Sequence, residues 1–206
     1  MIFLKNENFE RVLPDGYKEA LHLNAKNFKV GLILNLISVA VWFSVMALSV
    51  LPIAITNRMT EPPSMLKIYL YFVIFLMLVL IYMVLHEIVH GIAYKSLTGE
   101  KLSFGLSWSC AFCGLPNTYV YRKAALIAAA SPFVLFSVVF IALTVIFYFI
   151  NPMLYFLFAS IFGMHLGGCS GDIYYILLFL FKFKDKRVLS RDTGPEQFIY
   201  IPPEDY

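Results

Sequence analysis

Charge is scarce in this sequence. Asp, Glu, Lys and Arg make up 14% of its 206 residues, against about 25% in an ordinary soluble domain. Cysteine is nearly missing, with three residues, which excludes a disulfide-held secreted scaffold. The net charge is only +3, and no basic stripe stands out, so no nucleic-acid partner is expected. Long repeats and low-complexity tracts are absent as well, which excludes solenoids and collagen-like chains. Apolar residues fill the space: 60% are hydrophobic and 17% aromatic, and the mean hydropathy is +0.77. Such a chain has too little polar surface for a water-soluble monomer. A polytopic membrane protein remains.

A spanning helix needs about 20 apolar residues. Four stretches qualify: Val30–Ile55, Ile68–Leu97, Ala124–Ile150 and Met153–Phe181. The opening segment is charged and mixed, with no short apolar core before a small-residue cleavage site, so no cleaved signal peptide is expected. All of the 16 basic residues except Arg58 and Lys67 precede the first stretch, follow the fourth, or cluster around the link between the second and third. The positive-inside rule therefore puts both termini and the 98–123 segment in the cytoplasm, and a plasma-membrane location is expected. The expected fold is an all-α membrane protein with four transmembrane helices. Residues 1–29 form a cytoplasmic N-terminal segment, 30–181 the transmembrane domain, and 182–206 a cytoplasmic tail that is surface-lying or flexible. Between helices two and three, glycine-punctuated short runs predict a small β-hairpin on the cytoplasmic side, with Lys101–Trp108 and Thr118–Tyr121 as strands. An ordinary connecting loop is the alternative.

Polar groups inside lipid are costly and each needs a reason. The four stretches hold two carboxylates, Glu87 and Asp172, and three histidines, His86, His90 and His165. No Lys or Arg lies deep enough to neutralise the acids, and a bound cation would. His86-Glu87-Ile88-Val89-His90 places two imidazoles one turn apart on one helical face, with a carboxylate between them that can act as general base on water. Packed core histidines are the alternative, but they leave Glu87 unpaired. Zinc needs a third protein ligand. Counted from the outer ends of their stretches, His86 and Asp172 both lie about 27–29 Å deep at about 1.5 Å per residue. Asp172 is therefore the candidate ligand, with pairing to a hydroxyl of Ser170 or Tyr174 as the alternative. His165 lies about 10 Å further out along its helix. It suits a hydrogen bond to a substrate carbonyl or oxyanion, or equally an interhelical tie. Gly163, Gly167 and Gly171 recur every four residues, which permits close helix approach. Ala128 to Pro132 reads as small residues followed by a kink. Cys110 and Cys113 form a single Cys-x-x-Cys pair, a weak signal for chemistry.

These residues resemble a known group. A His-Glu-x-x-His helix in the membrane, a glycine-punctuated segment, a small-residue span and an Asp on a later span resemble the site-2 protease family of zinc intramembrane metalloproteases. The likeness is closer to bacterial membrane proteins described as putative zincin peptidases. It covers roughly residues 68–182. It implies His86, His90 and Asp172 as zinc ligands and Glu87 as catalytic base. It sets Ala130-Ser131-Pro132 where the family often has Gly-Pro, and His165 near a family Asn. Here Asp172 is followed by Ile173 rather than the usual Gly, and preceded by Gly171. The implied function is zinc-dependent cleavage of membrane-embedded or membrane-proximal protein or peptide substrates. A non-proteolytic membrane protein with a structural or regulatory zinc site is the alternative.

Overall fold

A computed structural model describes residues 8–24, 27–59, 61–106 and 111–203. The element order is β1 (Phe9–Glu10), β2 (Lys18–Asn24), α1 (Phe28–Thr56), α2 (Met65–Thr98), β3 (Ser103–Leu106), β4 (Ala111–Gly114), β5 (Tyr119–Tyr121), α3 (Arg122–Ile150), α4 (Pro152–Gly168), α5 (Ser170–Leu177), β6 (Leu189–Asp192) and β7 (Glu196–Ile201). A π-helical turn, Leu178–Lys182, follows α5.

Helices α1, α2 and α3 are long and apolar enough to cross a membrane. Leu36, Phe43, Leu48, Leu80, Val138 and Phe149 are exposed on the helix surfaces, as lipid-facing residues are. The fourth apolar stretch is a bent pair, broken at Cys169 between α4 and α5; counted as one span it would make a fourth. The break has a local cause. Gly167 and Gly168 weaken the last turn of α4, and the Cys169 N–H closes it on the carbonyls of His165 and Gly167. At the other end, the Asn151 side chain accepts the N–H groups of Met153 and Leu154, with Pro152 at the first helical position. That combination starts a helix sharply.

The all-α expectation is corrected by two sheets. Five strands pair in the order β1-β5-β6-β7-β2, all antiparallel. The N-terminal segment supplies β1 and β2, and the tail supplies β6 and β7. The tail up to residue 203 is therefore an ordered part of the fold, not a flexible extension. The hairpin also differs from expectation. Strand β3 pairs with β4, Ser103 opposite Gly114 and Phe104 opposite Cys113, while Tyr119–Tyr121 joins the larger sheet. Trp108 and Cys110 lie outside the described residues.

The chain divides into two compact units. One comprises the residues up to Leu32, Leu85–Pro132 and the chain from Asp172 onward. Its core gathers Tyr94, Leu115, Val120, Tyr175, Phe179 and Ile199 around Ala124, Ala125 and Ala128 of α3. The alanines are fully buried, and their small side chains let neighbours approach the α3 backbone. Arg122 donates to the carbonyls of Phe179 and Phe183 at 3.0–3.1 Å, satisfying groups that a helix end leaves unpaired. The β6–β7 turn passes through Gly194 at φ +99°, and a Cβ on Gly114 would sit 2.4 Å from the Gly194 nitrogen.

The other unit comprises Ile33–Val84 and Phe133–Gly171. Tyr82, Phe140, Leu157 and Ile161 form its core. Here the glycine spacing has its packing reason at two of three positions. A Cβ on Gly163 would meet Trp42 at 3.1 Å, and one on Gly167 would meet the Ser38 carbonyl oxygen at 2.6 Å, whereas one on Gly171 would meet nothing within 4 Å. Ser38 and Trp42 of α1 then hydrogen-bond to the Gly167 carbonyl and the Ser160 hydroxyl, at 2.7 and 2.9 Å.

Asp192 on β6 is 6% exposed and accepts hydrogen bonds from the Tyr94 hydroxyl and the Gly194 N–H. Burial pushes its carboxyl up to about 6, against 3.8 for an ordinary Asp. The fold thus favours the protonated form. Its contribution to stability is whole below the unfolded value and is lost as pH rises through about 6. Asp192→Asn should be free of this loss. The difference in melting temperature between wild type and Asp192→Asn in detergent should move in favour of Asn between pH 4 and 8, by the equivalent of about 2 kcal/mol. A difference independent of pH would contradict the buried-acid account.

Candidate metal centre

Helix α2 runs unbroken through the His-Glu-x-x-His segment, so His86 and His90 stand one turn apart on one face. Their ring centroids are 4.9 Å apart. Asp172 sits in the first turn of α5, a place the break at Cys169 creates and where unpaired N–H groups favour a carboxylate. Its two oxygens meet the two rings. His86 Nε2 is 3.2 Å from Oδ2, and His90 Nε2 is 3.4 Å from Oδ1. One ligand atom from each of the three residues can be chosen so that all lie within 4.8 Å of one another. Each histidine is 9% exposed.

The backbone of α3 settles which nitrogen of His90 carries hydrogen. His90 Nδ1 lies 2.9 Å from the Ala128 carbonyl oxygen. A carbonyl only accepts, so Nδ1 donates. That oxygen is available because Pro132, four residues on, has no N–H to offer it. In a neutral His90, Nε2 then presents a lone pair to an Asp172 oxygen. Two electron-rich atoms at this range need a positive charge between them, a proton or a cation.

The donor set fits zinc. Two imidazole nitrogens and a carboxylate are a known catalytic ligand type, leaving the fourth position open. Bonds of about 2.0–2.1 Å in tetrahedral array put donor atoms about 3.3–3.4 Å apart, close to the two separations found here. The Ala128 carbonyl supplies the outer hydrogen bond that metal-bound histidines ordinarily make.

Glu87 stands beside the triad, half-buried, with the backbone of Cys113 on β4 near its carboxylate. Gly91 makes room for that strand. A Cβ there would lie 2.7 Å from the end of the Phe104 ring and 3.3 Å from the Cys113 sulfur. The Cys113 thiol is buried and free. Burial, then the carboxylates of Glu87 and Asp192, push it up to about 12, so it stays a thiol and not the thiolate that binds metal.

His165 lies in the other unit, fully buried. Its Nδ1 is 2.7 Å from the Tyr82 hydroxyl, and its Nε2 is 3.0 Å from the Ser137 hydroxyl. Rings of Phe133, Phe136 and Phe140 surround it. With both nitrogens engaged, the packing alternative gains over the substrate-facing one.

A protein-family model, DUF3267, described as "Putative zincin peptidase", matches residues 79–187, more than half of the chain. The chain belongs to this family. A zincin is a zinc metallopeptidase built on His-Glu-x-x-His, and the matched span of this zincin-family chain contains His86, Glu87, His90 and Asp172 together. It stops short of β6 and β7. Comparison with curated proteins and with solved structures found no match. Sequence reasoning did not reach the Ala128 carbonyl or the approach of β4 to Glu87. Only the first had a legible signal, a proline four residues past an alanine in a span that needs an acceptor.

If the three residues form one site, the purified full chain should carry about one zinc ion, and His86→Ala and Asp172→Ala should each reduce it to trace level. Unchanged zinc in either variant would overturn the triad.

Proposed function

We propose that the chain is a zinc-dependent intramembrane endopeptidase of the site-2 protease type, acting on membrane-embedded or membrane-proximal protein substrates. The observation that carries this reading is one carboxylate faced by two imidazoles, with a second carboxylate, Glu87, alongside, on helices apolar enough to lie in a bilayer. The distribution of basic residues favours both termini being cytoplasmic, and the reading places the protein in the plasma membrane.

His86, His90 and Asp172 would hold the ion. When bound, zinc supplies a Lewis acid that activates water at neutral pH and polarises a peptide carbonyl. Glu87 has the base's part. It is adjacent to a candidate ligand in sequence, and its carboxylate can take a proton from water. It then returns that proton to the leaving amine. The half-burial of Glu87 limits how many waters compete for it. Ala128 holds His90 in the tautomer that presents Nε2. Strands β3 and β4 pair with each other in a two-stranded sheet. The outer edge of β3 could hold an unwound substrate segment by backbone hydrogen bonds, as a strand added to a sheet. An extended substrate is required, because the carbonyls of a helix are enclosed by its own hydrogen bonds. We read His165 as a tie within the helix bundle rather than an oxyanion donor.

Glu87→Gln preserves shape and removes the basic charge. It should keep zinc yet slow cleavage of a transmembrane substrate by at least about 100-fold, measured with purified enzyme in proteoliposomes. Undiminished cleavage by the variant would remove Glu87 from the mechanism. Zinc in the wild type without any Glu87-dependent cleavage would favour the non-proteolytic alternative.

A further inference from the structure

Two buried tyrosines remain outside the chemistry described above. Tyr94 is four residues past His90 on α2, and Tyr175 is three past Asp172 on α5. Each therefore shares a helical face with a candidate ligand. Both are almost fully buried, at 3% and 1% exposed, and both end on the same strand. The Tyr94 hydroxyl donates to Asp192 Oδ2 at 2.9 Å, and the Tyr175 hydroxyl hydrogen-bonds to Ser190 Oγ. Ser190 and Asp192 are two apart on β6, so their side chains leave one face of the sheet.

The strand is well placed to serve as a fixed reference. It is the middle strand of five, with Ser190 opposite Val120 on one side and Ile199 on the other. Asp192 is held independently of Tyr94, because its Oδ1 takes the Gly194 N–H at 2.8 Å. Its backbone oxygen takes the Leu115 N–H at 2.6 Å. Leu115 follows directly on β4, the strand that passes near Glu87 at Cys113.

We propose that β6 is a positioning element for the metal centre: the Tyr94–Asp192 and Tyr175–Ser190 hydrogen bonds tether the two ligand-bearing helices to one strand and so set the separation of His90 from Asp172. The two helices approach the site from parts of the sequence about 80 residues apart, and no covalent geometry fixes their spacing. A strand that grips both does. This rests on the zinc site of the preceding section and adds that the C-terminal tail is part of it.

The test uses the full chain in detergent, made metal-free and titrated with zinc against a chelator, with the cobalt(II) absorption spectrum as a second readout. Tyr94→Phe and Tyr175→Phe remove only the hydroxyls. Each should weaken zinc binding by about 10- to 100-fold and shift the cobalt bands. Ser190→Ala should behave like Tyr175→Phe, while Ser190→Thr, which keeps the hydroxyl, should restore binding. A role in stability alone would lower the melting temperature of the metal-free protein and leave zinc affinity and cobalt spectrum unchanged. That result would overturn the proposal. A wild type that takes up no zinc, or a His86→Ala variant that binds it equally well, would instead overturn the zinc site itself and the tethering role with it.

Discussion

Everything in the candidate site depends on one electrostatic requirement. A carboxylate lies between two imidazole nitrogens in surroundings that are almost closed to water. Screening is weak there, and opposing charges act at nearly full strength. Because Ala128 fixes the proton of His90 on Nδ1, the side of the ring facing Asp172 cannot be satisfied by the neutral groups alone. A proton or a cation between them would satisfy it, and the spacing of the donor atoms is close to that around a small tetrahedral ion.

The rest of the fold can be understood as support for that requirement. Pro132 withholds a backbone N–H and so leaves a carbonyl for an imidazole. The break at Cys169 starts a new helix two residues before Asp172. Gly91 keeps α2 thin where the side chains of Phe104 on β3 and Cys113 on β4 pack against it. Each of these residues is a poor choice for an uninterrupted apolar helix, and each lies within a few positions of a ligand or of the residue that orients one. Local departures from regular structure gathered in this way are expected at a functional site.

The sequence showed these features unequally. The helices were legible because unbroken apolar runs have few other solutions in a bilayer. The histidine pair was legible because its geometry is local, set by one helical turn. Asp172 could be matched to it by depth, since the rise per residue is fixed. The five-stranded sheet was not legible. Its strands run from two to seven residues, and β2 meets β7 from the opposite end of the chain. Lys18, Glu19 and the proline-bounded tail look solvated until that pairing is made. The partner of β3 was misjudged for a related reason: β4 contains two small residues and a cysteine, and its strand character comes from its pairing with β3 rather than from its own propensity. The glycine stripe was half legible, since Gly163 and Gly167 pack as spacing suggests while Gly171 meets no neighbour.

The most direct test of the central claim is the coordination shell of the bound metal, read by zinc X-ray absorption on the purified full chain. Three protein ligands drawn from two imidazoles and one carboxylate predict a shell of nitrogen and oxygen at about 2.0–2.1 Å, with the outer scattering of two imidazole rings. A sulfur shell at about 2.3 Å would move the metal to the cysteines and contradict the account, as would a shell lacking imidazole.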